Sequence, residues 1–265
     1  MRSLFLLFFW TALAAQQPSP APPQTDIAQS NQQKARAVLD QAIQALGGQA
    51  YLNMHDSYTE GRLGAYYHGQ AEGQEVFFRF YEFPDKERVE LTSNRDIAEI
   101  YVGDRAYEVT FRGTRNLDPD KEQGLKLRMQ RAQHSLDRVL RQWMNAPGTA
   151  LFYEGTTLAE NHLCDKVTLL NAQDDAVTVL IDNSTHLPVE RIFEIRDPQT
   201  HDRDEEKEIY DNWRMVQGIN TPYVTQTVHN GEMSRQQSIT NVRYNTHFSE
   251  SLFNPASGLV NKTKQ

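Results

Sequence analysis

The chain contains eight histidines, the residue type best suited to acid–base or metal chemistry near neutral pH. None lies in an HExxH sequence, and no two stand four apart with a carboxylate between them. The sequence also lacks a GxSxG nucleophile elbow, a phosphate-binding glycine loop and a dinucleotide-binding fingerprint. We therefore predict no catalytic residue, no metal site and no cofactor. The alternative is a zinc site assembled from histidines on distant strands.

The densest group of charges is the segment Asp197–Glu208. Carboxylates that converge there could bind calcium or act as a general acid. The alternative is a solvated hairpin whose charged outer face discourages edge pairing. Because Arg203 and Lys207 alternate with the acids and would repel a metal ion, the sequence favours the solvated hairpin.

Cys164 is the single cysteine of the chain, so no intrachain disulfide can form. It lies in an apparent strand, Leu163–Val167, with no base recognisable nearby. We predict a small core residue rather than a nucleophile. The formal net charge of −8 argues against a nucleic-acid partner or adsorption to anionic lipid surfaces.

The first fourteen residues have the pattern of a secretory signal peptide. Arg2 precedes the apolar run Leu4–Leu13, and Ala12–Ala14 has the small-x-small pattern of a cleavage site. An uncleaved membrane anchor is the alternative, but the run is shorter than the ~20 apolar residues that span a bilayer. No cysteine follows the cleavage site, so we expect an exported, non-lipidated periplasmic protein. Residues 15–30, Pro-rich at first, are predicted as an extended tether.

Two stretches have the three-and-four spacing of apolar residues that is typical of amphipathic helices. The first ends at Gly47-Gly48, where glycine suits a helix C-cap, and the second at Ala146-Pro147-Gly148. Residues 118–133, which precede the second helix, are polar and charged. The sequence does not decide whether they form a helix or a mobile loop. The apolar positions of the two helices are Ala35, Val38, Leu39, Ala42, Ile43 and Leu46, then Leu136, Val139, Leu140, Trp143 and Met144.

Most of the remaining sequence alternates with the period of two that is typical of strands, joined by short turns such as Asn230-Gly231. Strands joined directly to strands favour antiparallel pairing. The Phe-rich strand Glu75–Phe83 is apolar on both faces, so both must contact apolar groups. The predicted fold is α+β in a single domain, residues 31–255, followed by a disordered tail, residues 256–265.

The order of these elements resembles that of the LolA/LolB-like lipoprotein-carrier superfamily, especially outer membrane lipoprotein-sorting protein-like members. The resemblance covers nearly all of the chain after residue 30. It implies a curved antiparallel sheet, an unclosed barrel, whose concave face is covered by helices, with a cavity for acyl chains between them. The segments that carry it are Ala45–Gly48, Phe83–Arg88, Ile100–Tyr107, Ile181–Pro188, Val216–Pro222 and Leu252–Pro255.

The chain departs from this family in three respects. In the soluble carrier an arginine before the proline of the early turn holds the lid closed, whereas this chain has Phe83 there. The lipid-modified N-terminal cysteine of the membrane-anchored receptor is absent. The chain is also longer than the carrier, and the charged segment 118–133 is part of the excess.

The resemblance implies a periplasmic, non-catalytic carrier or sensor that binds acyl chains of lipids or lipoproteins and works as a monomer. The aromatic residues left two interpretations open, an ordinary strand core or the lining of an apolar cavity, and the resemblance favours the cavity. The alternative function is an envelope protein-interaction module on the same fold without lipid cargo. The residues predicted to line the acyl cavity are Phe78, Phe80, Tyr101, Tyr107, Phe111, Leu140 and Trp143.

Overall fold

Thirteen antiparallel strands form one curved sheet that does not close into a barrel. The structure, a computed structural model, describes residues 24–196 and 202–259. The predicted signal peptide and residues 197–201 of the charged segment lie outside the described residues. The predicted α+β class and unclosed antiparallel sheet are confirmed.

The longest strands lie in the middle of the sheet and the shortest toward the β6 edge. In chain order, the first six are β1 Asp56–Tyr67, β2 Gln70–Glu82, β3 Lys86–Leu91, β4 Ile97–Val102, β5 Arg105–Thr110 and β6 Gly113–Leu117. The other seven are β7 Ala150–Ala159, β8 His162–Leu170, β9 Ala176–Asp182, β10 Pro188–Arg196, β11 Arg203–Val216, β12 Ile219–His229 and β13 Glu232–Tyr244.

The first and last strands pair at the middle of the sheet, with Ser57 opposite Tyr244. From β1 the chain runs strand by strand to the edge strand β6, and β7 at the other edge leads back strand by strand to β13. The connection between β6 and β7 must therefore cross the whole sheet. It carries two helices, α3 Gln123–Gln133 and α4 Leu136–Arg141, across one face. Residues 118–133, whose structure the sequence did not decide, are thus largely helical.

The N-terminal helix α1, Gln24–Leu46, is followed by one turn, α2 Gln49–Leu52. Helix α1 packs on β7, β8 and β12, and α4 continues the same apolar layer. Short 3₁₀ turns at Trp143–Asn145, Glu250–Phe253 and Pro255–Ser257 complete the secondary structure. The predicted apolar positions of α1 are all buried, as are those of the second helix except the half-buried Trp143. No helix in the described ranges is both long and apolar enough to cross a bilayer.

Two predicted boundaries are wrong. Helix α1 begins at Gln24, inside the range predicted as an extended tether. No proline occurs between Pro23 and Pro84, so nothing in the sequence prevents helix there. The predicted disordered tail begins too early, because Leu259 packs against Ile100 and the Gly258 carbonyl accepts a hydrogen bond from Arg88.

The segment that follows β13, up to Leu259, covers the outer face of the sheet, opposite the helices. Phe253 packs there against Phe80 and Tyr58. On the helix side of the same strand, Phe77 is buried at a cavity lined also by Leu125 of α3. The prediction that β2 contacts apolar groups on both faces is therefore confirmed, and Cys164 is confirmed as a buried core residue.

Gly47 fixes the exit of α1 against β12. Its φ is +132°, and a Cβ atom there would lie 2.3 Å from the Gly218 carbonyl oxygen. We expect Gly47→Ala to lower the free energy of unfolding by at least about 1–3 kcal/mol, because the strained backbone and the clash act together. Urea denaturation measures this. Gly69→Ala, with no atom within 4 Å of its added Cβ, separates the conformational cost from the clash.

Asp182 at the end of β9 holds the turn into β10. Burial would raise the pKa of its carboxyl, but hydrogen bonds from Ser184, Thr185 and His162 lower it well below the usual value. A carboxyl with a depressed native pKa stabilises the fold above its unfolded pKa of about 4, and the contribution is lost as pH falls toward the native pKa. We expect Asp182→Asn to cost stability at pH ~7 and much less at pH ~2. Equal losses in urea melts at both pH values would contradict this.

Candidate functional site

The central groove lies between the helices and the middle strands of the sheet. It consists of three adjoining cavities of about 250, 280 and 270 Å³. Arg79 of β2 lines all three, so the cavities are neighbours on one face of the sheet. Ligand pockets have volumes of about 300–1,000 Å³, and the groove as a whole falls in that range.

The middle cavity of the groove, here the arginine cavity, is lined by charged side chains from α3 and the sheet. The carboxylate of Glu87 in β3 accepts a hydrogen bond from Arg128 of α3 at 3.1 Å. The same carboxylate lies 2.8 Å from the Nε of Arg79. Burial would raise the pKa of Glu87, but the two guanidinium groups lower it below its usual value. Arg191 of β10 is likewise paired with Glu208 at 3.1 Å.

Arg235 of β13 also lines the arginine cavity, and its charge is not compensated. None of the described residues forms a hydrogen bond or ion pair with its guanidinium. Burial, and then repulsion from Arg128, Arg131 and Arg79, lowers the pKa of Arg235 to about 10. The nearby Glu208 is already paired with Arg191. The cavity therefore carries a surplus of positive charge.

The 270 Å³ cavity, here the apolar cavity, adjoins the arginine cavity beneath the first turns of α3. Arg235 and Arg128 stand where the two cavities meet, since they line both. The groove is therefore amphipathic, with a cationic middle beside an end where apolar side chains stand next to Glu75, Glu99 and Glu122. The apolar side chains of this cavity are Leu63, Phe77, Val89, Leu91, Leu117 and Leu125.

Glu206 of β11 fastens α3 to the sheet. Its buried carboxylate accepts two hydrogen bonds from Arg131 of α3, at 2.7 and 3.1 Å, and a third contact from His229 at 2.5 Å. The charged segment was predicted to be solvated, and for Glu206 this is wrong. The alternation of β11 turns this one carboxylate inward, whereas Glu205 beside it is exposed.

No family model matches the sequence, and no curated protein is similar to it. Among solved structures, a DUF1329 family protein from Desulfovibrio piger matches with TM-score 0.59 and 11% identity, over 84% of this chain and 98% of that one. A putative outer membrane lipoprotein-sorting protein domain from Vibrio parahaemolyticus matches with TM-score 0.55 and 9% identity, over the same shares. The fold is LolA-like. A LolA superfamily protein from Nitrosomonas europaea also matches, with TM-score 0.49 and 10% identity over 79% of this chain and 92% of its own.

The structure does not bring the seven predicted acyl-cavity residues of this LolA-like fold together. Tyr101 lines the groove, where the Arg128 guanidinium lies over its ring. Leu140 is buried in the core beneath α1, and Trp143 packs at the edge of that core. The remaining four lie elsewhere: Phe78, Phe80 and Tyr107 pack in outer-face clusters, and Phe111 is 81% exposed.

Alternation along the strands explains this distribution. In β2, Arg79 faces the groove, so Phe78 and Phe80 face the outer side. The sequence shows which residues share a face but not which face the helices cover. The groove residues that sequence reasoning missed include several arginines and glutamates, whose types predict solvent exposure when their partners are unknown.

Phe83 occupies the position where the LolA-like resemblance implies an arginine that holds the lid closed. Its ring nevertheless contacts an arginine from another element. The guanidinium of Arg141 on α4 lies 3.7 Å from the centre of its ring. Arg141 also donates to the Leu52 and Met54 carbonyls. The aromatic ring is thus on the turn and the cation on the helix, and the contact ties α4 to the β2–β3 turn.

Within residues 24–196 and 202–259, the histidines do not converge on the groove as a metal site. His55, Asp56 and His247 place potential ligand atoms within 4.8 Å of one another at the start of β1. The Asp56 carboxylate already accepts hydrogen bonds from Thr246 and from the backbone N–H of His247. These three residues tie β1 to the segment that follows β13.

Proposed function

We propose that the protein is a non-catalytic carrier or sensor of the cell envelope that binds the acyl chain of a lipid or lipoprotein in the central groove. The observation that carries this proposal is the apolar cavity beneath α3, because it lies between a helix and an open sheet. The LolA-like fold, shared with a putative outer membrane lipoprotein-sorting protein domain, supports it. The predicted export signal supports an envelope location.

The energetics of such a site need no catalytic or polar motif. Each methylene transferred from water to an apolar site contributes about 0.8 kcal/mol. About eight methylenes in the apolar cavity would contribute roughly 6 kcal/mol before the costs of association and ordering. Useful affinity therefore follows from apolar contact with side chains such as Leu63, Phe77 and Leu125.

The test is a titration of delipidated protein with N-phenylnaphthylamine, an uncharged dye that fluoresces in apolar surroundings. We expect saturable binding that monolauroylglycerol displaces. Gln237 lines two cavities of the groove, and no hydrogen bond involves its side chain in the described ranges. Gln237→Trp should therefore fill the groove and weaken dye binding at least ~10-fold without unfolding the protein.

The matched control is Gln236→Trp. Its side chain points to the opposite face of β13, so the same substitution leaves the groove open. Dye binding that is absent, non-saturable or equally weakened in both variants would contradict the proposal.

A second function, an envelope protein-interaction module, is favoured by one observation. Leu158 and Leu163 face each other on the hairpin of β7 and β8 and are 72% and 56% exposed. Paired exposed leucines on an edge hairpin are typical of a contact surface. A photo-crosslinker at Leu158 that captures one envelope protein in cells, with normal function retained by Gln237→Trp, would favour this alternative.

A further inference from the structure

The cationic middle of the groove needs an explanation that acyl binding alone does not give. A cavity that binds only hydrocarbon gains nothing from buried charge, and each buried charge has a desolvation cost. Three of the arginines that line the arginine cavity are compensated, since Arg128 pairs with Glu87, Arg131 with Glu206 and Arg191 with Glu208. Arg235 is not. A half-buried guanidinium that lines a cavity and has no partner among the described residues is a site where an anion from outside the chain can bind.

The position of Arg235 indicates what the anion is attached to. Its side chain lines both the arginine cavity and the apolar cavity, so it stands at their junction. An acyl chain that lies along Leu63 and Phe77 would end beside this guanidinium. The planar guanidinium donates two parallel hydrogen bonds to a carboxylate or a phosphate, which is the geometry an anionic head group offers.

We infer that the groove selects anionic amphiphiles, with the head-group carboxylate or phosphate held by Arg235 and the acyl tail held in the apolar cavity. This inference rests on the proposed function, because it names the chemical class of the acyl ligand. It assigns Arg235 as the residue that determines head-group specificity. Arg128 and Arg79 add positive potential at the same point, although Glu87 offsets part of it.

The experiment compares ligands with twelve-carbon tails in displacement of N-phenylnaphthylamine. We expect dodecyl phosphate to displace the dye at concentrations about 10- to 100-fold lower than monolauroylglycerol, the range that one charge-assisted hydrogen-bond pair supplies. Inorganic phosphate alone should displace it only weakly, because it lacks the tail. Arg235→Gln should remove the preference for dodecyl phosphate and leave binding of monolauroylglycerol unchanged.

Arg243→Gln is the matched control on the same strand. Arg243 is exposed on the outer face over the Tyr58 ring, so its loss should not alter the preference. Because no hydrogen bond involves Arg235, its variant should also keep the wild-type melting temperature. Equal displacement by dodecyl phosphate and monolauroylglycerol, or a preference that survives in Arg235→Gln, would overturn the inference while the acyl-binding function stands. Absence of dye binding to the wild type would overturn both.

Discussion

Arg88→Met is expected to lower the free energy of unfolding by about 3–5 kcal/mol, the usual cost of breaking a buried ion pair by removing one partner. Arg88 and Glu90 of β3 are both fully buried on the outer face, and their side chains are joined at 2.7 Å. Arg88 also donates to the carbonyls of Leu252 and Gly258, so it fastens the C-terminal segment to the sheet. Its loss leaves the Glu90 carboxylate without one partner and two carbonyls without a donor.

The measurement is urea denaturation of Arg88→Met beside Arg105→Met, a control at an exposed arginine of β5. The control should change stability by less than about 0.5 kcal/mol. The double variant Arg88→Met, Glu90→Leu should recover part of the loss, because it removes the uncompensated carboxylate as well. A loss below about 1 kcal/mol in the single variant would show that the C-terminal segment is not held in this way.

Glu206→Gln is expected to loosen α3 while the rest of the fold stays intact. The carboxylate of Glu206 is the buried acceptor for both hydrogen bonds from Arg131, and truncating one partner of such a pair costs about 2–5 kcal/mol. Because Arg131 can become hydrated when α3 lifts, the cost should appear as local opening rather than global unfolding. Amide hydrogen exchange in residues 123–133 should accelerate by ~30-fold or more.

Exchange in α1 provides the internal reference, since α1 packs on β7 and β8. Glu205→Gln is the matched variant, with the neighbouring side chain exposed on the other face. It should leave exchange unchanged in both helices. Uniform acceleration across α1 and α3 would mean that Glu206 contributes to global stability instead of holding α3.

The elements with strong periodicity could be predicted from the sequence. The apolar spacing from Ala35 to Leu46 has one physical solution, a helix with one buried face, and the described structure contains it. The two-faced strand around Phe77 and Phe80 likewise required apolar contacts on both sides. These patterns depend on side chains near in sequence, so no knowledge of distant partners is needed.

The groove could not be predicted in the same way. Arg128 and Arg131 lie in a polar segment whose amphipathic pattern is weak, and Glu206 lies in a run of charges. Their burial depends on partners on other elements, because a charged side chain is buried only where an opposite charge or a carbonyl meets it. The crossing of the sheet by residues 118–149 brings these partners together, and only the strand order reveals that crossing.

The measurement that tests the central claim most directly is native mass spectrometry of the protein purified from the cell envelope without detergent. The account predicts a bound species whose mass corresponds to an acyl-bearing molecule with a carboxylate or phosphate head group. It also predicts that this species is lost from Gln237→Trp and kept in Gln236→Trp. Wild-type protein that carries no lipid, and takes none up from anionic vesicles, would contradict the account.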